Sequence, residues 1–251
     1  MPHKLNYNLT HLKLGLLTKL LIISAMINGH CQTTKTIYFF PGQGSDSRIF
    51  GELTIDSSFS CKFIEYGTPE RKITMKDFAL QLSRSIDTTR SYVLVGVSLG
   101  GMICSELNEI LSPEKVIIIS SAKNHTELPF RYRFQRIVPL YKIIPPKLIY
   151  LGAKFLQPIV EPDRNKRKEV FRSMLSDKRP KYLKRTIGLI MSWDRKTNSK
   201  KIIHIHGTKD HTIPFRNVKK PDYKIEKGSH MMTLTRADEI SGILNPILKN
   251  L

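Results

Sequence analysis

Tyr92-Val93-Leu94-Val95-Gly96-Val97-Ser98-Leu99-Gly100-Gly101 is the stretch that decides the fold. The run Tyr92–Val97 is apolar throughout, with no polar alternation, so it reads as a strand buried on both faces. A serine set among glycines follows, and a helical pattern runs on through Leu111. A serine on so sharp a strand-to-helix turn sits in strained backbone. Side chains at the flanking positions would clash, which is why the chemistry needs glycine there. The turn lifts Ser98 Oγ above the sheet edge. It aims the backbone N–H of Leu99, at a helix N-terminus, at the place where an oxyanion would form.

Outward from this turn the same rhythm recurs. Thr36–Phe40 is a short aromatic and β-branched run stopped by Pro41-Gly42, and Cys61–Tyr66 is a weaker strand. Val116–Ser120, Ile202–His206 and Tyr223–Ile225 are further strands. Thr74-Met75-Lys76-Asp77 resembles a capping box opening a helix that carries Phe78, Leu80, Leu82 and Ile86. Ala237–Leu248 closes the chain as a helix with Ile240, Ile243, Leu244 and Ile247 on one face. Buried strands alternating with helices predict a parallel α/β sheet covered on both sides.

Residues 123–199 break the rhythm. They hold no clear strand, carry prolines at 129, 139, 145, 146, 158, 162 and 180, and have far more Lys and Arg than Asp and Glu. A basic helical insertion of this kind, between two strands, reads as a lid. The prolines predict that its apolar stretch from Val138 onward folds as short pieces.

The chain has 251 residues, 40% apolar and 25% charged, enough for one domain with a sizeable core. That mix excludes disorder and collagen-like architecture. No 18-residue stretch is free of charge, which excludes a polytopic membrane protein. Cys31, Cys61 and Cys104 are too few and too scattered for a disulfide framework or a zinc site. With 41 Lys and Arg against 21 Asp and Glu, the net charge of +20 favours anionic partners.

A nucleophilic serine needs a base, and the base needs an orienting acid. In the chain order this turn type demands, both come later. His206-Gly207-Thr208-Lys209-Asp210 and Gly228-Ser229-His230 each follow a strand, so Asp210 is the expected orienter and His230 the expected base. Ser120–Asn124, after the preceding strand, offers no carboxylate. Asp194, in the insertion, is the first alternative to Asp210. The segment Asp210 to His230 is short, so a helix near Pro214–Lys220 must be brief. Pro41-Gly42-Gln43-Gly44-Ser45 follows the first strand, and the Gln43 backbone N–H is the expected second oxyanion donor.

Other residues have plainer readings. His204 and His206 share a strand face, but no carboxylate or cysteine set accompanies them, and no metal is expected. Asp46 and Arg48 either line the pocket or cap the next helix. Cys104 is a core residue. The run Arg164–Lys168 is a solvated face, since no aromatic-interleaved basic platform accompanies it, so nucleic acid is not an expected partner.

The GQG loop, GVSLGG, HGTKD and GSH stand in the order of the α/β-hydrolases, and the chain resembles that superfamily over about residues 36–250, in its lid-containing esterase and lipase-like form. The resemblance implies a Ser98–His230–Asp210 triad, hydrolysis of carboxylic esters through an acyl-enzyme, and no cofactor. The expected substrate is a small-molecule or lipid-like ester. Two departures stand out. The sheet begins at Thr36, without room for the usual two preceding strands, and the lid is unusually basic, so the relatives' substrates do not carry over; its apolar face has two expected partners, the acyl chain of a substrate or an anionic membrane surface. The alternative reading is a non-catalytic binding protein on a hydrolase scaffold, recruited to anionic surfaces.

Residues 1–34 read as an address rather than fold. Lys4, Lys13 and Lys19 precede the apolar run 20–27, and polar residues follow, as in a secretory signal cleaved somewhere in 25–32. His30 before Cys31 does not suit a lipobox. The expected domain is therefore residues 35–251, of a protein exported to the periplasm or secreted, with the cytoplasm as the alternative location.

Overall fold

β-Branched and aromatic runs too apolar to face water on either side must be covered twice, and the four central strands of the sheet are built from them. The computed structural model describes residues 35–250. The signal-like segment expected over residues 1–34, Cys31 included, lies outside the described residues. Six strands form one parallel sheet: β1 (Thr36–Phe40), β2 (Ser60–Phe63), β3 (Tyr92–Val97), β4 (Lys115–Ile119), β5 (Ile203–Gly207) and β6 (Tyr223–Ile225), in the order β2-β1-β3-β4-β5-β6. Every residue of β3 is buried.

The period of two sends alternate side chains to two separate cores. Tyr38, Phe40, Leu94, Val116 and Ile118 pack with α1 (Met75–Ser83) and α2 (Leu99–Ile110). Ile37, Phe39, Val93, Val95, Ile117 and Ile119 pack on the opposite face with α8 (Ala237–Lys249), through Ile240, Leu244 and Ile247. The expected cap at Thr74 is present: its hydroxyl accepts the Asp77 N–H at 3.1 Å. The weaker strand ends at Phe63 rather than Tyr66, because the chain turns away there. Tyr66 leaves the sheet and donates its hydroxyl to the Pro41 carbonyl.

Between β4 and β5 the chain forms α3 (Phe130–Ile137), α4 (Pro146–Val160), α5 (Lys168–Ser176) and α6 (Pro180–Ser192). Pro146 and Pro180 open their helices, where the missing N–H costs nothing. The expectation of short pieces holds only as far as Pro145, with a 3-10 turn at Leu140–Lys142. From there α4 runs for 15 residues, because Pro158 falls in its last turn. Helix α6 buries Tyr182, Leu183, Thr186, Leu189 and Ile190, and α3 and α4 pack on it. The connection after β5 holds only the 3-10 turn Phe215–Asn217, and α7 (Met232–Thr235) follows β6. Among the described residues, no helix is long and apolar enough to cross a membrane.

Candidate active site

Ser98 joins β3 to α2 with φ 53° and ψ −119°, a left-handed conformation that costs a non-glycine residue about 1–3 kcal/mol. One close approach and two hydrogen bonds hold it there. A Cβ on Gly100 would lie 2.0 Å from the Phe40 carbonyl oxygen, so only glycine lets α2 start this close to β1. Ser98 N–H donates to Ile119 O at 3.1 Å, and Ser121 Oγ donates to Ser98 O at 2.6 Å. The flanking glycines are thus required by backbone packing, as the sequence indicated.

The loops after β5 and β6 meet above the sheet edge. A Cβ on Gly207 would stand 2.3 Å from Gly228 O, and Lys209 N–H donates to that same oxygen at 2.9 Å. This contact sets Asp210 beside His230. His230 Nδ1 is 2.8 Å from Asp210 Oδ2, and His230 Nε2 is 2.9 Å from Ser98 Oγ. The second Asp210 oxygen, Oδ1, accepts the N–H groups of Thr212 and Ile213, each at 2.8 Å. The carboxylate is therefore fixed in orientation, with Oδ2 turned to His230 Nδ1 and 3.5 Å from His206 Nε2. With Nδ1 protonated toward Asp210, Nε2 is left to accept the Ser98 hydroxyl proton. Burial alone would lower the His230 pKa, but the charge and hydrogen bond of Asp210, with the charge of Glu161, outweigh it and raise it.

The loop after β1 lies against the serine. A Cβ on Gly42 would come within 3.2 Å of Ser98 Cβ. Gln43, the next residue, donates its amide to Leu183 O at 3.2 Å and Thr186 Oγ1 at 3.0 Å, both on α6. Leu99 is the first residue of α2. The structure thus brings Ser98, His230 and Asp210 into one hydrogen-bonded chain, with the Gln43 loop and the α2 N-terminus beside it.

No protein-family model and no curated protein sequence matches the chain. Solved structures do. A thermophilic esterase from Thermogutta terrifontis is 13% identical, with 86% of this chain and 90% of that one covered and a TM-score of 0.65. An enol-lactonase from Burkholderia xenovorans LB400 is 14% identical over 84% and 90%, with a TM-score of 0.64. A lipase-esterase related protein from Clostridium acetobutylicum ATCC 824 is 16% identical over 85% and 94%, with a TM-score of 0.60. The chain has the α/β-hydrolase fold.

Within this α/β-hydrolase fold the remaining candidates sort themselves. Asp46 caps the 3-10 turn after β1, accepting the Arg48 N–H, and pairs with Arg48 and Lys178, so of the two readings it takes the capping one. Cys104 is fully buried. His204 and His206 are buried against each other. His206 Nε2 donates to Ile213 O at 2.9 Å, which leaves its Nδ1 to accept from His204 Nε2 at 3.1 Å. Burial holds both pKa values down. Among the described residues, no three His, Cys, Asp or Glu are grouped to hold a metal.

Asp194, the alternative acid in the insertion, is exposed. The insertion carboxylate that does reach the α/β-hydrolase site is Glu161, which sequence reasoning missed. It is 3% exposed and accepts the Met231 N–H at 3.3 Å. Burial pushes its carboxyl up to about 7. Its surroundings in sequence, Glu161-Pro162-Asp163-Arg164, look like any charged turn, and nothing local distinguishes it.

Proposed function

We propose that the protein is a serine hydrolase acting on carboxylic esters through a Ser98–His230–Asp210 triad. The continuous hydrogen-bonded chain from Ser98 Oγ through the imidazole to a carboxylate fixed by two backbone N–H groups carries this reading. The three structures above, an esterase, an enol-lactonase and a lipase-esterase related protein, support it.

In this mechanism His230 Nε2 takes the proton as Ser98 Oγ attacks the ester carbonyl. The N–H groups of Leu99 and Gln43 receive the oxyanion. His230 then gives the proton to the leaving alcohol. Water attacks the acyl-enzyme by the same route and frees the acid and Ser98. Asp210 keeps Nδ1 protonated and balances the imidazolium charge. Helices α3 to α6 act as the lid, and α6 sets the Gln43 loop through Leu183 and Thr186.

The lid also offers a face for an anionic membrane surface. On α3, Phe130, Phe134 and Ile137 are exposed at i, i+4 and i+7. On α4, Leu148, Leu151 and Phe155 are exposed at i, i+3 and i+7. Arg133, Arg136, Lys147 and Lys154 flank them and are exposed as well. Apolar stripes bordered by cations suit the boundary between acyl chains and acidic head groups. Export through residues 1–34 would bring the enzyme to such a surface, and sequencing the mature N-terminus from the native host's envelope tests it. A start within 25–32 is expected, and intact Met1 on a cytoplasmic protein would refute export.

The alternative, a non-catalytic binding protein on this scaffold, leaves the orientation of Asp210 and His230 toward Ser98 without purpose. A fluorophosphonate probe separates the two. Covalent labelling is expected on Ser98 and on no other serine. An unlabelled native protein would refute the hydrolase reading.

A further inference from the structure

Glu161 is the C-cap of α4, and its carboxylate lies in the wall of the site, turned toward the loop that carries His230. It accepts the N–H of Met231, the residue next to that histidine. Two charged groups act on it, His230 from the loop after β6 and Asp210 from the loop after β5. A second buried carboxylate next to a histidine that already has its orienting acid is costly to keep, since it must give up its water. The mechanism above gives it no task.

We propose that Glu161 is a positioning residue for His230, which anchors the backbone bearing the imidazole and, when ionised, supports the imidazolium that forms as Ser98 attacks. The proposal rests on the hydrolase reading. Asp210 meets the ring at Nδ1 and sets its tautomer. Glu161 works through the neighbouring peptide and through charge. Ionised Glu161 raises the affinity of the imidazole for a proton, as Asp210 does. Because Glu161 comes from the insertion, the strength of the base depends on where α4 lies. Helix α4 is also the one that exposes Leu148, Leu151 and Phe155. Displacing its C-terminal end would remove a charge from the site without touching the triad.

The test compares the native enzyme with Glu161→Gln and Glu161→Ala, following kcat/KM of a soluble activated ester against pH. Glutamine keeps an oxygen for the Met231 N–H and removes the charge. Its kcat is expected to fall about tenfold with KM little changed, as for a group felt mainly in the transition state. The acid limb of its profile should move to lower pH by about half a unit or more, since the imidazole loses a neighbouring negative charge. Alanine, which loses the anchor too, should fall further. An acid limb that stays in place for Glu161→Gln would overturn the proposal, whatever happens to kcat. If either variant folds poorly, a titration of the His230 imidazole by NMR in Ser98→Ala and in Ser98→Ala/Glu161→Gln gives the same answer without turnover. Failure of the hydrolase reading looks different, because the native protein would then not label at Ser98.

Discussion

Gln43 Nε2 lies 3.0 Å from Thr186 Oγ1, joining the loop after β1 to α6 across 143 residues. Through this contact the insertion holds one wall of the site. Thr186 is fully buried, and its hydroxyl hydrogen points to Tyr182 or Leu183 within the helix, so it serves Gln43 as an acceptor. Thr186→Val keeps the shape and deletes that acceptor. Gln43 would retain only Leu183 O. Stability is expected to drop by about 1 kcal/mol. Turnover of an activated ester should fall by roughly tenfold, less than removing an oxyanion donor outright. Unchanged turnover would mean that the second oxyanion donor is not Gln43.

The backbone at Ser98 separates function from stability. Ser98→Ala should abolish ester hydrolysis, a loss on the order of 10⁶ in turnover. Ser98→Gly should be equally inactive and yet melt at a higher temperature than Ser98→Ala. Glycine adopts φ 53° and ψ −119° without the Cβ penalty. A glycine variant melting at or below the alanine variant would show that the turn is not strained.

Glu161 makes stability depend on pH in a direction opposite to an ordinary paired carboxylate. Its folded pKa is raised from 4.5 to about 7, so the folded state holds the proton more tightly than the unfolded chain. The resulting destabilisation is absent below pH 4.5, grows as pH rises, and is complete above about 7. Glu161→Gln removes it. The stability gained by that variant should be about 2 kcal/mol larger at pH 8 than at pH 5, in chemical denaturation at the two values. An equal gain at both would mean that the carboxyl is hydrated.

The exposed apolar residues of α3, α4 and the turn between them predict binding to vesicles containing anionic lipid. Ile137, Ile143 and Phe155 are each about four-fifths exposed. Replacing the three by serine should cut co-sedimentation severalfold while leaving hydrolysis of a soluble ester intact. High salt should weaken native binding, because the Debye length falls from about 10 Å at 0.1 M to about 3 Å at 1 M. Equal binding to neutral and anionic vesicles would remove the role given to the cations.

Much of this fold is legible in the sequence. The strand at Tyr92–Val97 is apolar at every position and the next residues are a serine among glycines, so β3, the turn and α2 follow from local pattern alone. Asp210 and His230, which the structure sets 2.8 Å apart, stand out in sequence because each follows a strand by a short loop. Glu161 does not, because its placement depends on how α4 crosses the site, a tertiary fact with no local pattern. The exposure of Asp194, the alternative acid, is likewise a tertiary fact with no local pattern. The continuation of α4 past Phe155 was hidden by Pro158, which a last helical turn tolerates.

The two borders of the sheet have a consequence for how the molecule behaves in company. Among the described residues its borders are β2 and β6, four and three residues long. Border strands present unpaired N–H and C=O groups that can template pairing with another chain. Both borders are brief, and each carries a lysine at its middle, Lys62 and Lys224. Two such molecules meeting edge to edge would find few partners for their backbones and like charges opposed. The brevity and charge of these two borders guard against aggregation.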